Sequence, residues 1–466
     1  MKKIAMLCLL AAVAQQMSAE EIKTAGNGKT YTLDLLSQME SDAVEKYVDE
    51  DDGEVIYTLY DNVTIAAGDK FEMEDEVTVL FDDKVTFTIE GDADFQLAKG
   101  SVFDSAFDSY DGVAPVGIVM SNEKSQTMFQ NCAFYYVGLR NMSKKGLKVD
   151  NCAFYYNNGA IGQAALTIGT DGAPFEVTNS TFGYNQKAAI AGAANYRNPL
   201  LIEDCEFYCN GQANRNTPQL NLTVADNVVI RGCTIEGDPE MTMVGGIVVA
   251  NMVGFTGELN TLIEDNIIKD CRFGMATYLE QKAVIRNNIL KDNCHETNPM
   301  NGGSGINVYD PYKLQYTYIE GNYIEGSLWG ITLVGGKEAN LGRIDVEPTS
   351  ADYNPGGNVF VNNGNGGVLY DLYNNSPNTV YAQGNIWNVS QQTEEQIESV
   401  IFHKHDDSKL GTVIFMPPAP TTGIAPQSLL TAPSSMLQGI HDLQGRSVQH
   451  PSKGIYIING KKVVME

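Results

Sequence analysis

Glu280 and Asp310 stand at nearly matching positions in two successive repeats, each just after a short apolar strand: GMATYLE ends at Glu280 and GINVYD at Asp310. Two carboxyl groups roughly 5 to 9 Å apart can work as acid and base, or as acid and nucleophile, across a glycosidic bond. Tyr278 and Tyr309 beside them offer flat faces on which a sugar ring can stack. The long bend NCHETNPMNGGS, from Asn293 to Ser304, would wall such a site with His295, and Asn307 and Trp329 complete the candidate ligand contacts. The plainer reading is that both acids are ordinary strand ends beside Gly-rich bends. His403 and His405 read as part of a terminal cap and not as a metal pair, and no residue is assigned to a metal.

The elements that must position these residues are repeats. IEDNIIKD is echoed twenty-two residues later by IRNNILKD, and the same phrase, a turn residue followed two positions later by a large apolar one, recurs along the chain. Its turn position is Cys132, Cys152, Ser180, Cys205 and Cys233, then Asn266, Asn288, Asn322, Asn358 and Asn385. Each unit holds three strands of 3 to 6 residues broken by Gly, Asn and Asp, too short for helix pairs and too regular for a sandwich. Coils stacked at about 4.8 Å, each strand parallel to its counterpart one coil away, satisfy that pattern. Asn in the turn column tolerates left-handed backbone angles and can hydrogen-bond from coil to coil, while Cys accepts burial. The expected fold is all-β: a right-handed parallel β-helix of about ten or more coils, with a short C-terminal capping helix and a small β-rich tail.

Composition narrows the partners. A net charge of -27 and an acidic balance concentrated between Glu20 and Asp108, with 24 Asp and Glu against 6 Lys, exclude a nucleic-acid partner, which needs a basic face. That acidic stretch is a solubilising surface, with Ca²⁺ binding as the sharper alternative. Residues 1–19, MKKIAMLCLLAAVAQQMSA, have two lysines, an apolar run and small residues before Glu20, the pattern of a secretory signal peptide. No later stretch approaches the ~20 consecutive apolar residues of a membrane helix. The mature chain keeps seven cysteines with none of the CxxC spacing of a zinc or redox site.

With these residues in place, 55–416 resembles the right-handed parallel β-helix repeats of the pectin-lyase-like superfamily. DNVTIAAGDKFEMEDEVTVLFDDKVTFTIEGDADFQLAKG is similar to that family's opening coils, and GNIWNVSQQTEEQIESVIFHKHDDSKLGTVIFMPP to its closing segment. The exit also makes independent sense as a capping box at Thr393 to Gln396 opening a helix TEEQIESVIFHK, whose Ile397, Val400 and Ile401 seal the coil stack. IHDLQGRSVQHPSKGIYIINGKKVVME resembles the type IX secretion C-terminal sorting domain, which implies the type IX machinery as a partner and the outer-membrane surface of a Gram-negative bacterium, or the medium, as the destination. The expected division is a signal peptide (1–19), an acidic N-terminal cap (20–54), the β-helix with its end cap (55–416), a Pro/Ser-rich linker (417–439) and the sorting-domain-like tail (440–466).

The superfamily resemblance implies sugar binding along the outer face of one sheet. Alternation sends Ala276, Tyr278, Asn307, Tyr309, Thr332 and Val334 outward, with Leu369 and Asp371 later on the same face. None of these is basic, which weakens elimination from an acidic sugar, although Lys282 and Lys313 fall in neighbouring bends. The pectin-hydrolase signatures are absent as a set. The long excursion Gly335–Gly357 is expected, with the Asn293–Ser304 bend, to flank the Tyr309 and Trp329 region. The leading expectation is a non-catalytic surface or adhesin-like protein contacting a polysaccharide or cell-surface glycan; the alternative is a carbohydrate-active enzyme, hydrolase before lyase.

Overall fold

The computed structural model describes residues 21–94, 100–106, 117–122, 126–158, 162–170, 172–192, 197–223, 227–251, 260–278, 282–310, 316–335 and 338–420, apart from the side chains of Asp310 and Glu338, and the backbone of three strands between Ile440 and Met465. The segment read as a signal peptide lies outside them. Among the described residues the strands form three long sheets of 14, 13 and 11 strands. One coil contributes a strand to each: Lys282–Arg286 to the 11-stranded sheet, Ile289–Lys291 to the 13-stranded sheet and Ser304–Asp310 to the 14-stranded sheet. Each pairs in parallel with its counterpart one coil on, Tyr316–Glu320, Tyr323–Glu325 and Trp329–Gly335. The chain is a right-handed parallel β-helix, as its repeat grammar requires.

The large apolar residue two positions after each turn points into the coil. Phe103, Phe134, Phe154, Phe182 and Phe207 form a buried column with neighbouring ring centroids 4.9, 4.4, 4.7 and 5.2 Å apart. Ile235, Ile268, Leu290, Ile324 and Phe360 continue it on successive coils. Each such side chain contributes roughly 1.5–3 kcal/mol by leaving water, and stacking at strand spacing adds to this.

At the turn, the structure divides between two residues the work expected of one. The left-handed angle falls on the residue before the ladder: Asn131, Asn151, Asn179, Asp204, Asp265 and Asn287 have φ between 50° and 58°, and Gly takes this place at 232, 321, 357 and 384. The ladder residue itself is buried and bonds along the rod. Asn266, Asn288, Asn322 and Asn358 each donate Nδ2 to the Oδ1 of the next Asn at 2.9–3.0 Å, ending on Asn385. Each thiol of Cys132, Cys152, Cys205 and Cys233 instead donates to the carbonyl two residues back, at 3.2–3.4 Å. All seven described cysteines are free thiols.

A second buried polar column, unforeseen in the sequence, occupies the next corner five residues on. It comprises Asn157, Asn185, Asn210, Cys271, Asn293, Ser327 and Asn363. The Asn185 amide donates to Asn210 Oδ1 at 2.7 Å, and the Ser327 N–H to Asn363 Oδ1 at 3.1 Å. Left-handed residues again precede it, at Tyr156, Tyr184, Cys209, Asp270, Asp292 and Asn362. Two hydrogen-bonded corners in a coil leave the third bend free to vary in length.

Both ends are covered. At the N-terminal end the helix α1 (Leu33–Ser37) buries Leu33 and Leu36 and takes its N-cap from Thr32, while Val44–Val48 pairs antiparallel with Val55–Leu59. At the other end α2 spans only Glu394–Glu398, capped by Thr393. The helix expected to run to Lys404 stops because Ile401–Phe402 joins the 14-stranded sheet as its last strand. Ile397, Val400 and Ile401 are all buried over the final coil, and Trp387 stacks on Phe360 at 5.0 Å. The backbone of Ile440–His441, Gly454–Ile458 and Lys461–Met465 forms a separate antiparallel sheet.

Candidate functional site

The outer face of the 14-stranded sheet is where side chains of successive coils come into register. Where its strands begin, Gly246, Gly274, Gly305 and Gly330 stack so closely that a Cβ on each would meet a carbonyl oxygen of the next coil at 2.3–2.8 Å. These glycines fix the close approach that starts GMATYL, GINVYD and GITLVG. The outward row that follows is Asn221, Val248, Ala276, Asn307, Thr332, Tyr373 and Phe402. The next outward row holds Tyr278 and Tyr309 in register, rings 5.2 Å apart and both half-buried. Burial raises the Tyr278 phenol, Tyr309 adds to the effect, and the Arg272 guanidinium opposes it.

Trp329 lies on the same face and is the centre of an aromatic cluster. Its ring is 4.7 Å from Tyr370 and 5.1 Å from Tyr373, and Phe402 meets Tyr373 edge-on at 5.2 Å. All four are half-buried, so their faces are packed on one another while part of each remains in solvent. The Trp329 Nε1–H donates to the carbonyl of Pro299 at 3.0 Å, which docks the Asn293–Ser304 bend against the ring. Beside Pro299, Met300 is 86% exposed. The hairpin Gly364–Asn365 with Val368–Leu369 precedes Tyr370 and leaves Val368 and Leu369 exposed. Arg272 fixes the bends from beneath: it is buried, donates to Asn216 Oδ1 at 2.6 Å and also to the carbonyl of Asn301.

The sequence candidates separate on this map. Tyr278, Asn307, Tyr309 and Trp329 share the outer face. His295 does not join them: its Nε2 faces Asp270 Oδ1 at 3.6 Å, at the corner between sheets. Glu280 and Lys313 lie outside the described residues, as does the side chain of Asp310, whose backbone pairs with Gly335. Lys282 is exposed in the 11-stranded sheet. Asp371, expected on the outer face, is fully buried, because the strand of the main sheet begins only at Leu372. Its carboxylate accepts from the Asn388 N–H at 2.8 Å, and burial pushes its pKa up to about 7.

The excursion after Gly335 is also relocated. Glu338–Gly342 forms a strand of the 11-stranded sheet, Tyr318 donates its hydroxyl to the Tyr353 carbonyl, and Arg343 lies 4.1 Å over the Tyr381 ring. The described part of this segment therefore covers the 11-stranded sheet, and only the Asn293–Ser304 bend adjoins Trp329. Sequence reasoning also missed a polar groove of about 260 Å³ farther up the rod, lined among others by Gln163, Gln186, Lys187, Arg215, Thr217 and Asn221. Its two cations, Lys187 and Arg215, come from bends and not from the outward strand positions Ala276 to Val334.

The family model described as right-handed beta helix region matches residues 110–341. No curated protein matches the chain in sequence. Among solved structures, the periplasmic alginate epimerase AlgG is 12% identical with a TM-score of 0.47, the match covering 90% of this chain and 86% of that one. The Azotobacter vinelandii mannuronan C-5 epimerase AlgE6 A-module is 10% identical with a TM-score of 0.26, covering 79% and 89%. Pectate lyase Pel9A is 11% identical with a TM-score of 0.23, covering 83% and 80%. No helix among the described residues is long and apolar enough to cross a membrane.

Proposed function

We propose that this chain is an exported β-helix protein that contacts a glycan, without catalysis, along the outer face of its 14-stranded sheet. The observation that carries the reading is the Trp329, Tyr370, Tyr373 and Phe402 cluster, in line with Tyr278 and Tyr309 on the same face. Half-exposed aromatic rings on rigid strands present flat apolar surface at little cost in side-chain freedom, which suits the CH faces of pyranose rings. Asn307 adds a hydrogen-bonding group between the two aromatic groups. Export rests on the N-terminal signal pattern and on the likeness of 440–466 to type IX sorting domains, with the Gram-negative cell surface or the medium as the destination.

A second reading, a carbohydrate-active enzyme, is favoured by the Lys187 and Arg215 groove, which brings positive charge to a polar recess. Glu280 and Asp310 remain its candidate acid pair. Incubation with a panel of polysaccharides, with and without Ca²⁺, separates the two. Binding without new reducing ends or unsaturated products supports the first reading; product that disappears in Glu280→Gln or Asp310→Asn overturns it.

A further inference from the structure

The C-terminal cap brings together three side chains of a kind that hold a divalent metal. Glu398 is the last residue of α2, and His405 and Asp406 lie in the turn that follows the strand Ile401–Phe402. One ligand atom from each lies within 4.8 Å of the other two, and His405 Nδ1 is 3.3 Å from Glu398 Oε1. A neighbouring side chain that is no part of this trio holds Glu398 in place. His403 is 5% exposed, its Nδ1 accepts the Val413 N–H at 2.8 Å, and its Nε2 therefore carries the proton and donates to Glu398 Oε1 at 2.7 Å. Asp406 is drawn in by the His403 N–H, which donates to its Oδ2 at 3.0 Å.

We propose that Glu398, His405 and Asp406 form a binding site for a borderline divalent cation of the Zn²⁺ type. An imidazole with two carboxylates matches that class, with water completing the coordination shell. Ca²⁺ is disfavoured, since it takes six to eight oxygen ligands and the trio supplies a nitrogen in their place. The buried His403 donor plays the part of an outer partner that orients a ligating carboxylate. A cation here links the end of α2 to the turn before the last strand of the 11-stranded sheet, Val413–Ile414, and so locks the cap over the final coil. Its role is separate from glycan contact and does not depend on it.

The test is calorimetric titration of the chelator-treated full chain with ZnCl₂ and with CaCl₂. Because 58 acidic residues provide weak background sites, the comparison is with variants: His405→Ala and Asp406→Asn, both at exposed positions, and Glu347→Gln as a remote control. The expected result is one saturable Zn²⁺ site, weakened about 10-fold or more by His405→Ala and by Asp406→Asn and unchanged by Glu347→Gln. Zn²⁺ also raises the melting temperature of the parent chain but not of His405→Ala. Absence of saturable Zn²⁺ binding, or equal binding by His405→Ala, overturns the proposal, as does Ca²⁺ binding that His405→Ala abolishes.

Discussion

Asn288 shows what a single ladder residue does. Its Oδ1 accepts from both the backbone N–H and the amide of Asn266, and its own amide reaches Asn322 Oδ1 and the Ile263 carbonyl. Replacing it with Ala orphans buried donors on both sides, at about 1–3 kcal/mol for each unsatisfied group. Asn288→Ala should therefore lower the denaturant midpoint by the equivalent of about 2–4 kcal/mol; a change below about 0.5 kcal/mol, the size of an ordinary surface substitution, would deny the ladder its stabilising role. Asp371 sets a different expectation. Its folded pKa near 7 exceeds the ordinary carboxyl value of about 3.9, so the folded state holds a proton that the unfolded state releases. That contribution is complete below about pH 4 and is lost as pH rises through 7. The loss of melting temperature between pH 4 and pH 7 should be smaller in Asp371→Asn than in the parent, and equal slopes would refute the assignment.

Elements explain why some of this was legible and some was not. Period-two alternation sent Asn307, Tyr309 and Thr332 outward and so turned Ile306, Val308 and Ile331 inward, where the 7-residue strands Ser304–Asp310 and Trp329–Gly335 bury them, because a one-residue slip would turn a whole strand inside out. The same rule failed at Asp371, since Val368–Leu369 belongs to a hairpin out of phase with the strand beginning at Leu372. The second polar column was present in the spacing, five residues after Cys152, Ser180, Cys205, Asn266, Asn288, Asn322 and Asn358, but its residues alternate among Asn, Cys and Ser and conceal the repeat. The aromatic cluster drew on Tyr370 and Phe402, which only coil stacking brings to Trp329. At the cap, Ile397→Ala removes a fully buried side chain that closes the end of the core, with an expected loss of about 2–5 kcal/mol. Hydrogen exchange should then accelerate first in Ile401–Phe402, Leu372–Asn375 and Val359–Val361, the last strands of the 14- and 13-stranded sheets; uniform acceleration along the rod would argue against a local cap.

At the scale of the whole molecule, the coil stack converts short repeats into a long rigid face on which aromatic residues from different coils keep fixed spacing. The net charge of -27 disfavours polyanions in general, so binding to this face must come from local contacts such as Trp329. Of the two tryptophans, Trp387 is 2% exposed and Trp329 is half-buried at the surface, which gives the central claim an intrinsic probe. The direct measurement is to titrate the chain with a glycan found to bind, following tryptophan emission, in parallel with Trp329→Phe and with Tyr373→Ala. The account predicts a saturable emission change in the parent, its loss in Trp329→Phe, and weaker glycan binding by roughly tenfold in Tyr373→Ala, equivalent to about 1.4 kcal/mol. Unchanged binding by both variants would contradict it.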